Sequence, residues 1–215
     1  MIPSLPAVRP LRPLRPLFLV AVLLVAAGWA PVLAQPAELQ APDAFLGYEL
    51  GAQFTPHHRV TDYVRHVART SPGVEVQQYG TTYEGRPLLL ATIGTPANLE
   101  RIDEIRQNNL RRAGLQSGSA PSDGPAIVWL SYNVHGNESV STEAALQVLH
   151  DFADPQNAQT SGWLENTVVL LDPCLNPDGR ERYVQWYKRT AGAQANARPE
   201  AREHHEPWPG GRANH

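Results

Sequence analysis

Residues 132–138 place two side chains that can bind a metal where both could reach the same ion. His135 and Glu138 stand three residues apart, after an apolar strand-like run and before a helix-like one. Imidazole nitrogen and carboxylate oxygen suit zinc, so the pair predicts the start of a catalytic zinc site. Gly136 allows a tight turn between them. The spacing alone leaves an alternative equally open: a core histidine and a glutamate favoured by the dipole at a helix N-terminus.

A second group of metal-binding residue types is Glu203-His204-His205-Glu206. It lies in a segment rich in proline and glycine that has no helical period. The zincin motif His-Glu-x-x-His differs from it, because that motif needs a helix to bring two histidines to one face. The composition of the segment therefore predicts a solvated loop.

The elements that must position these residues alternate between helices and short apolar strands. Helical spacing of apolar residues predicts three helices, and apolar or alternating runs predict four strands. The helices cover about 60–68, 99–105 and 144–152, and the strands about 74–79, 88–93, 126–130 and 167–171.

This alternation predicts an α/β fold with a mixed, largely parallel central sheet flanked by helices, incomplete at the C-terminus. The strand at 126–130 is apolar throughout, so we expect it to be buried. In such sheets, sites form outside the carboxyl ends of the strands. Both His135 and the Asn-Pro-Asp-Gly turn at 176–179 follow such ends.

The N-terminal residues 1–34 predict a signal peptide. Three arginines precede an apolar stretch at 17–29, and residues that a signal peptidase can read end at Ala34. We expect cleavage there and a secreted or periplasmic protein, with no stable membrane insertion afterwards; the alternative is an uncleaved anchor helix. Residues 35–54 are then expected to form an extended lead-in.

Composition gives no support to two classes of protein: those that bind nucleic acid through a basic surface, and those held together by internal disulfides. The net charge of −3 at pH 7 gives no support to nucleic-acid binding through a basic surface. Cys174 is the only cysteine, so an internal disulfide cannot form. Its place beside Pro173, at the end of an apolar run, predicts a small buried side chain rather than a catalytic thiol.

Four motifs occur in a fixed order along the chain. They are Glu84-Gly85-Arg86-Pro87, His135-Gly136-Asn137-Glu138, Asn176-Pro177-Asp178-Gly179 and Gly211-Arg212-Ala213-Asn214. In this order they resemble the zinc metallocarboxypeptidases of the carboxypeptidase A/D-like family, and most closely its carboxypeptidase D/E/N-like branch. The resemblance implies that residues 55–215 form the N-terminal portion of a zinc carboxypeptidase-like catalytic domain.

The resemblance also implies roles for individual residues. His135 and Glu138 would be the first two ligands of a Zn²⁺ cofactor. Arg212 would stabilise the oxyanion of the tetrahedral intermediate, with a solvated loop arginine as the alternative. Asn137 departs from the carboxypeptidase A-like pattern, where an arginine contacts the substrate. The Glu-Gly-Arg-Pro and Asn-Pro-Asp-Gly segments are expected to be architectural turns.

In the family, an Asp-Leu-Asn-Arg segment, a third histidine ligand and a general-base glutamate follow the last motif. None of these lies within the 215 residues. We therefore expect a truncated chain that is inactive alone, since a catalytic zinc needs three protein ligands.

The predicted function is a zinc-dependent metallocarboxypeptidase that hydrolyses C-terminal residues from peptides, so its partners would be peptide C-termini. One alternative is a zinc-dependent N-acyl amino acid deacylase of the aspartoacylase or succinylglutamate desuccinylase type. Another is a non-catalytic secreted fragment that acts as a binding module. No pattern in the sequence indicates an oligomeric state or a preferred substrate side chain.

Overall fold

The computed structural model describes residues 38–192, 194 and 196–207. The predicted signal peptide and Arg212 lie outside these residues. The helices are α1 (Pro42–Leu46), α2 (His57–Thr70), α3 (Pro96–Glu100), α4 (Ile102–Arg112), α5 (Val140–Ala153), α6 (Ala158–Leu164) and α7 (Pro177–Thr190), followed by a 3-10 turn (Arg202–His204). The strands are β1 (Val74–Thr81), β2 (Pro87–Ile93), β3 (Ala126–Ser131) and β4 (Thr167–Asp172). Within this described part, every helix is too short or too polar to cross a bilayer.

The four strands form one sheet in the order β1-β2-β4-β3. β1 pairs antiparallel with β2, and β2 pairs antiparallel with β4. β3 and β4 pair in parallel, with Ser131 opposite Asp172 at their carboxyl ends. The sheet is thus mixed and flanked by helices, which confirms the predicted fold class; among the described strands, parallel pairing is confined to β3 and β4.

The core forms where α2 and α5 pack together beside the sheet. Val60, Val64 and Val67 recur along one face of α2 and are fully buried. Leu146 and Leu149 of α5 belong to the same cluster and are also fully buried. Burial of each such side chain contributes about 1.5–3 kcal/mol to stability. This packing fixes α5, the helix that follows His135 and Glu138 in the chain.

The prediction of a buried strand at 126–130 is wrong for the described part of the chain. β3 lies at the edge of the described sheet and pairs only with β4. Val128 is 42% exposed and Trp129 is 62% exposed. An apolar run indicates that a strand is hydrophobic but not whether it lies at the centre or at the edge of the sheet. The prediction failed for this reason.

The prediction of an extended lead-in over 35–54 also needs correction. The helix α1 lies inside it, with Pro42 in the first turn and Gly47 in the left-handed conformation after its end. Proline fits a first helical turn and glycine fits this C-terminal position. Leu46 joins the core, so this segment packs against the domain.

Candidate metal centre

Residues 132–139, the metal turn, join the end of β3 to the start of α5. They contain the metal motif, His135-Gly136-Asn137-Glu138. Asn133 adopts a positive φ of 56° there, the single non-glycine residue to do so among those described. Asparagine is one of the few side chains that tolerates this conformation. Its Nδ2 donates to the His135 carbonyl at 2.6 Å, and its Oδ1 accepts from Thr142 Oγ1 at 2.7 Å. The side chain of Asn133 therefore ties the turn to α5.

His135 and Glu138 converge at the outer side of this turn. His135 Nδ1 lies 3.4 Å from Glu138 Oε1, and the two side chains are 38% and 63% exposed. Two ligands bound tetrahedrally at the usual Zn–N and Zn–O lengths lie about 3.4 Å apart. The pair therefore fits zinc as two of its ligands, with an open side toward solvent.

Within the described residues, no group of three or more His, Cys, Asp or Glu side chains converges on one point. The pair could thus supply two protein ligands, whereas a catalytic zinc usually has three and a water.

The Asn-Pro-Asp-Gly turn lies beside the metal motif, as predicted from the two strand ends. Because β3 and β4 are parallel, the segments that follow them begin side by side at the same edge of the sheet. Leu175 N donates to Tyr132 O at 2.9 Å, and Asn176 N donates to Asn133 O at 3.1 Å. The Asn176 side chain also donates to Val134 O at 3.2 Å. The metal turn is therefore hydrogen-bonded, through main chain and side chain, to the segment that joins β4 to α7.

The Glu-Gly-Arg-Pro segment contacts Asp178, in the first turn of α7. The Asp178 carboxylate accepts from Thr82 Oγ1 at 2.8 Å, Glu84 N at 3.2 Å and Arg86 Nη1 at 2.6 Å. Burial alone would raise the pKa of Asp178, but these hydrogen bonds and the Arg86 charge lower it below its usual value. Glu-Gly-Arg-Pro therefore acts as a structural turn, whereas Pro177, Asp178 and Gly179 form the first turn of α7, where Asn176 Oδ1 accepts from Gly179 N at 2.9 Å.

Another carboxylate, Asp172, ends β4 and is fully buried. It accepts hydrogen bonds from the Tyr79 hydroxyl and from Cys174 N. Burial raises the pKa of Asp172, and these two hydrogen bonds oppose the rise. Cys174 is 2% exposed, which confirms the predicted burial, and desolvation raises its thiol pKa to about 11. Such a thiol is unreactive at neutral pH.

The Glu-His-His-Glu segment agrees in part with the predicted solvated loop, since His204 and His205 are exposed whereas Glu203 is buried. Glu203 is 7% exposed and accepts from Asn196 N at 2.8 Å. His204 Nε2 lies 2.6 Å from Asn196 O. Glu206 Oε1 accepts from Asn137 Nδ2 at 3.1 Å. Glu206 thus connects this segment to Asn137, the residue beside Glu138.

A buried ion pair between Glu143 in α5 and Arg180 in α7 is a further feature of this region that could not be predicted from the sequence. Arg180 Nη2 lies 2.6 Å from Glu143 Oε1, and the two side chains are 0% and 4% exposed. Their separation of 37 positions leaves no local pattern to detect.

Comparison with known proteins gives a family match and several structural neighbours. The model of the zinc carboxypeptidase family matches residues 60–214. A carboxypeptidase A from Helicoverpa armigera is 19% identical over 76% of this chain and 32% of its own, with a TM-score of 0.45. Thrombin activatable fibrinolysis inhibitor is 13% identical over 68% of this chain and 32% of its own, with a TM-score of 0.47. A putative carboxypeptidase A from Shewanella denitrificans is 20% identical over 60% of this chain and 28% of its own length, with a TM-score of 0.41.

The fold is an α/β domain in which His135 and Glu138, the candidate ligands, lie at the carboxyl edge of a mixed sheet. The family match covers most of the chain, and the chain therefore belongs to the zinc carboxypeptidase family. It spans about a third of the length of the solved structures that it matches.

Proposed function

We propose that this chain supplies the first part of a zinc-dependent carboxypeptidase that removes C-terminal residues from peptides. The observation that carries the proposal is the 3.4 Å approach of His135 Nδ1 to Glu138 Oε1 at the end of β3. The family match supports the same interpretation. His135 and Glu138 are the proposed zinc ligands.

Zinc, when bound, would polarise the scissile carbonyl and lower the pKa of a bound water to about 7. The residues of this chain hold and orient the two ligands. Asn133 and Asn176 fix the turn by hydrogen bonds to main-chain oxygens of His135 and Val134. This support matters because ligands held in advance need little rearrangement when the ion binds.

Arg212 is the proposed electrostatic group for the reaction. A guanidinium is always charged and offers several donors, so it can stabilise negative charge that develops on the carbonyl oxygen. Its place in the Gly-Arg-x-Asn motif is what supports this role.

We further propose that residues 1–34 direct export, so that the protein acts outside the cell or in the periplasm. In this proposal residues 35–54 lead into the catalytic portion at 55–215. Among the described residues, His135 and Glu138 are the two zinc ligands of this proposal.

The experiment that tests the function uses the natural protein and mass spectrometry of its products. Incubation with a mixture of unmodified peptides should release single C-terminal residues, and a zinc chelator should stop the release. Hydrolysis of N-acyl amino acids without any shortening of peptides would indicate the deacylase instead. Absence of both activities in a zinc-loaded sample would contradict an enzymatic role.

A further inference from the structure

The buried pair of Glu143 and Arg180 has a hydrogen-bonding partner for each polar atom it brings into the core. Arg180 donates from Nη1 to Thr55 O at 2.6 Å and from Nε to Ser139 O at 3.3 Å, besides its bond to Glu143. Glu143 accepts from Thr55 N at 2.7 Å and from Thr55 Oγ1 at 2.6 Å. The pair therefore joins α5, α7 and the segment before α2.

An ion pair at this depth is a poor source of stability by itself. Removing both charges from water costs several kcal/mol each, and their attraction roughly repays that cost. Apolar residues of similar volume often give equal stability, but they cannot hold a main-chain oxygen in a fixed direction. What Glu143 and Arg180 add is therefore orientation of the groups that they contact.

One of those contacts reaches the metal turn. Ser139 directly follows Glu138 and precedes α5, and its carbonyl accepts from Arg180. The Ser139 hydroxyl donates to Gly136 O at 2.7 Å, inside the motif. Arg180 thus fixes the C-terminal end of the turn, while Asn133 fixes its beginning.

We propose that Arg180 and Glu143 are positioning residues for the metal ligands. By holding the Ser139 carbonyl, they keep the turn in the shape in which His135 and Glu138 converge. This inference rests on the proposed zinc site and adds two residues to it: Glu143 in α5, and Arg180, which directly follows Asn-Pro-Asp-Gly in the first turns of α7.

The test compares variants that separate orientation from stability. The double variant Glu143→Leu/Arg180→Met leaves no unpaired charge in the core, but the buried Thr55 main chain loses its partners, so the melting temperature should fall and zinc binding is measured well below it. Asn98→Ala is the matched control, because Asn98 is also buried and donates to the Leu164 and Glu165 carbonyls, near the opposite end of β4.

Two quantities are measured on the natural protein and its variants. The zinc dissociation constant, from competition with a chromophoric chelator, should rise tenfold or more in the double variant and stay unchanged in Asn98→Ala. Amide exchange of the metal-free proteins should become faster at residues 135–139 in the double variant only. Unchanged affinity and unchanged exchange would overturn the proposal.

Arg180→Lys keeps the test decisive if the double variant does not fold. A lysine retains the charge beside Glu143 but cannot reach three partners with one ammonium. We expect a several-fold loss of zinc affinity, and wild-type affinity in this variant would also overturn the proposal.

The outcome for the wild type separates this inference from the proposed function. If the wild type binds zinc and loses it in His135→Ala, then retained binding in the Arg180 and Glu143 variants refutes positioning alone. A wild type without zinc affinity refutes the proposed function, and the role of Arg180 and Glu143 toward zinc with it.

Discussion

At the scale of single residues, the metal turn depends on a backbone conformation that few side chains accept. His135 and Glu138 could be proposed as ligands from their types and spacing, since both can reach one ion from a turn. The role of Asn133 could not be predicted, although asparagine before a glycine-containing turn is a weak signal for positive φ. Its φ of 56° became visible only with the backbone.

Substitution of Asn133 should show both parts of its role. Asn133→Gly removes the bonds to His135 O and Thr142 but keeps the positive φ accessible. Asn133→Ala removes the same bonds and adds strain, so we expect it to be less stable than Asn133→Gly by about 0.5–1 kcal/mol. Chemical denaturation measures the difference, and equal stability of the two variants would contradict strain at this position.

The reactivity of Cys174 tests the packing at the end of β4. Its thiol is buried, and desolvation raises its pKa to about 11. A maleimide reagent at pH 7 should therefore modify the native protein very slowly and the urea-unfolded protein rapidly. Rapid modification of native protein would show that this part of the core is open to solvent.

At the scale of the elements, the close approach of two loops fixes the ends of β1 and β2. A Cβ added at Gly73 would lie 2.8 Å from Gly94 O, a backbone atom that cannot move freely. Gly73→Ala should cost roughly 1–3 kcal/mol of unfolding free energy. Gly162 in α6 is the matched control, since a Cβ there meets nothing within 4 Å.

Gly162→Ala should instead stabilise the protein by about 0.5–1 kcal/mol, because alanine favours a helix and narrows the unfolded ensemble. Urea denaturation of both variants gives the two free energies. A destabilised Gly162→Ala together with a neutral Gly73→Ala would contradict the packing described for these loops.

The hydrogen bonds of Asp178 predict how stability depends on pH. The folded state lowers the pKa of this carboxyl below its usual value of 3.8, so the unfolded chain binds the proton more readily. The stabilisation is thus fully present above that value and is lost as the pH falls through the lower, folded-state pKa.

Asp178→Asn should therefore be less stable than the wild type at pH 7, while the difference shrinks as the solution becomes acidic. Thermal unfolding at pH 7, 5 and 3 measures this dependence. Glu165→Gln is a suitable control for a lost surface carboxylate, since the Glu165 side chain is exposed. A difference that stays constant over this range would contradict the account of Asp178.

The elements also show where sequence reasoning reached its limit. The helix α2 could be predicted from the helical period of its apolar residues, and the strand β4 from its continuous apolar run. The exposure of β3 could not, because it depends on which strands neighbour it rather than on its own residues. Glu143 and Arg180 escaped detection because charged residues in helices are usually exposed.

At the scale of the whole molecule, the candidate site is an assembly of segments far apart in sequence. The sheet brings residues 132–139 beside residues 172–179, and α7 returns Arg180 to the same turn. The candidate ligands and the order of the motifs could be predicted from the sequence. The contacts between them arise from the parallel pairing of β3 and β4 and could be known only from the structure.

The most direct test of the central claim is the zinc affinity of the natural protein and three variants, measured by competition with a chelator. We predict one high-affinity zinc per chain, a loss of at least tenfold in His135→Ala and in Glu138→Gln, and no change in His204→Ala, which removes an exposed histidine. Zinc binding that survives His135→Ala and Glu138→Gln, or that disappears in His204→Ala instead, would contradict the site proposed at the end of β3.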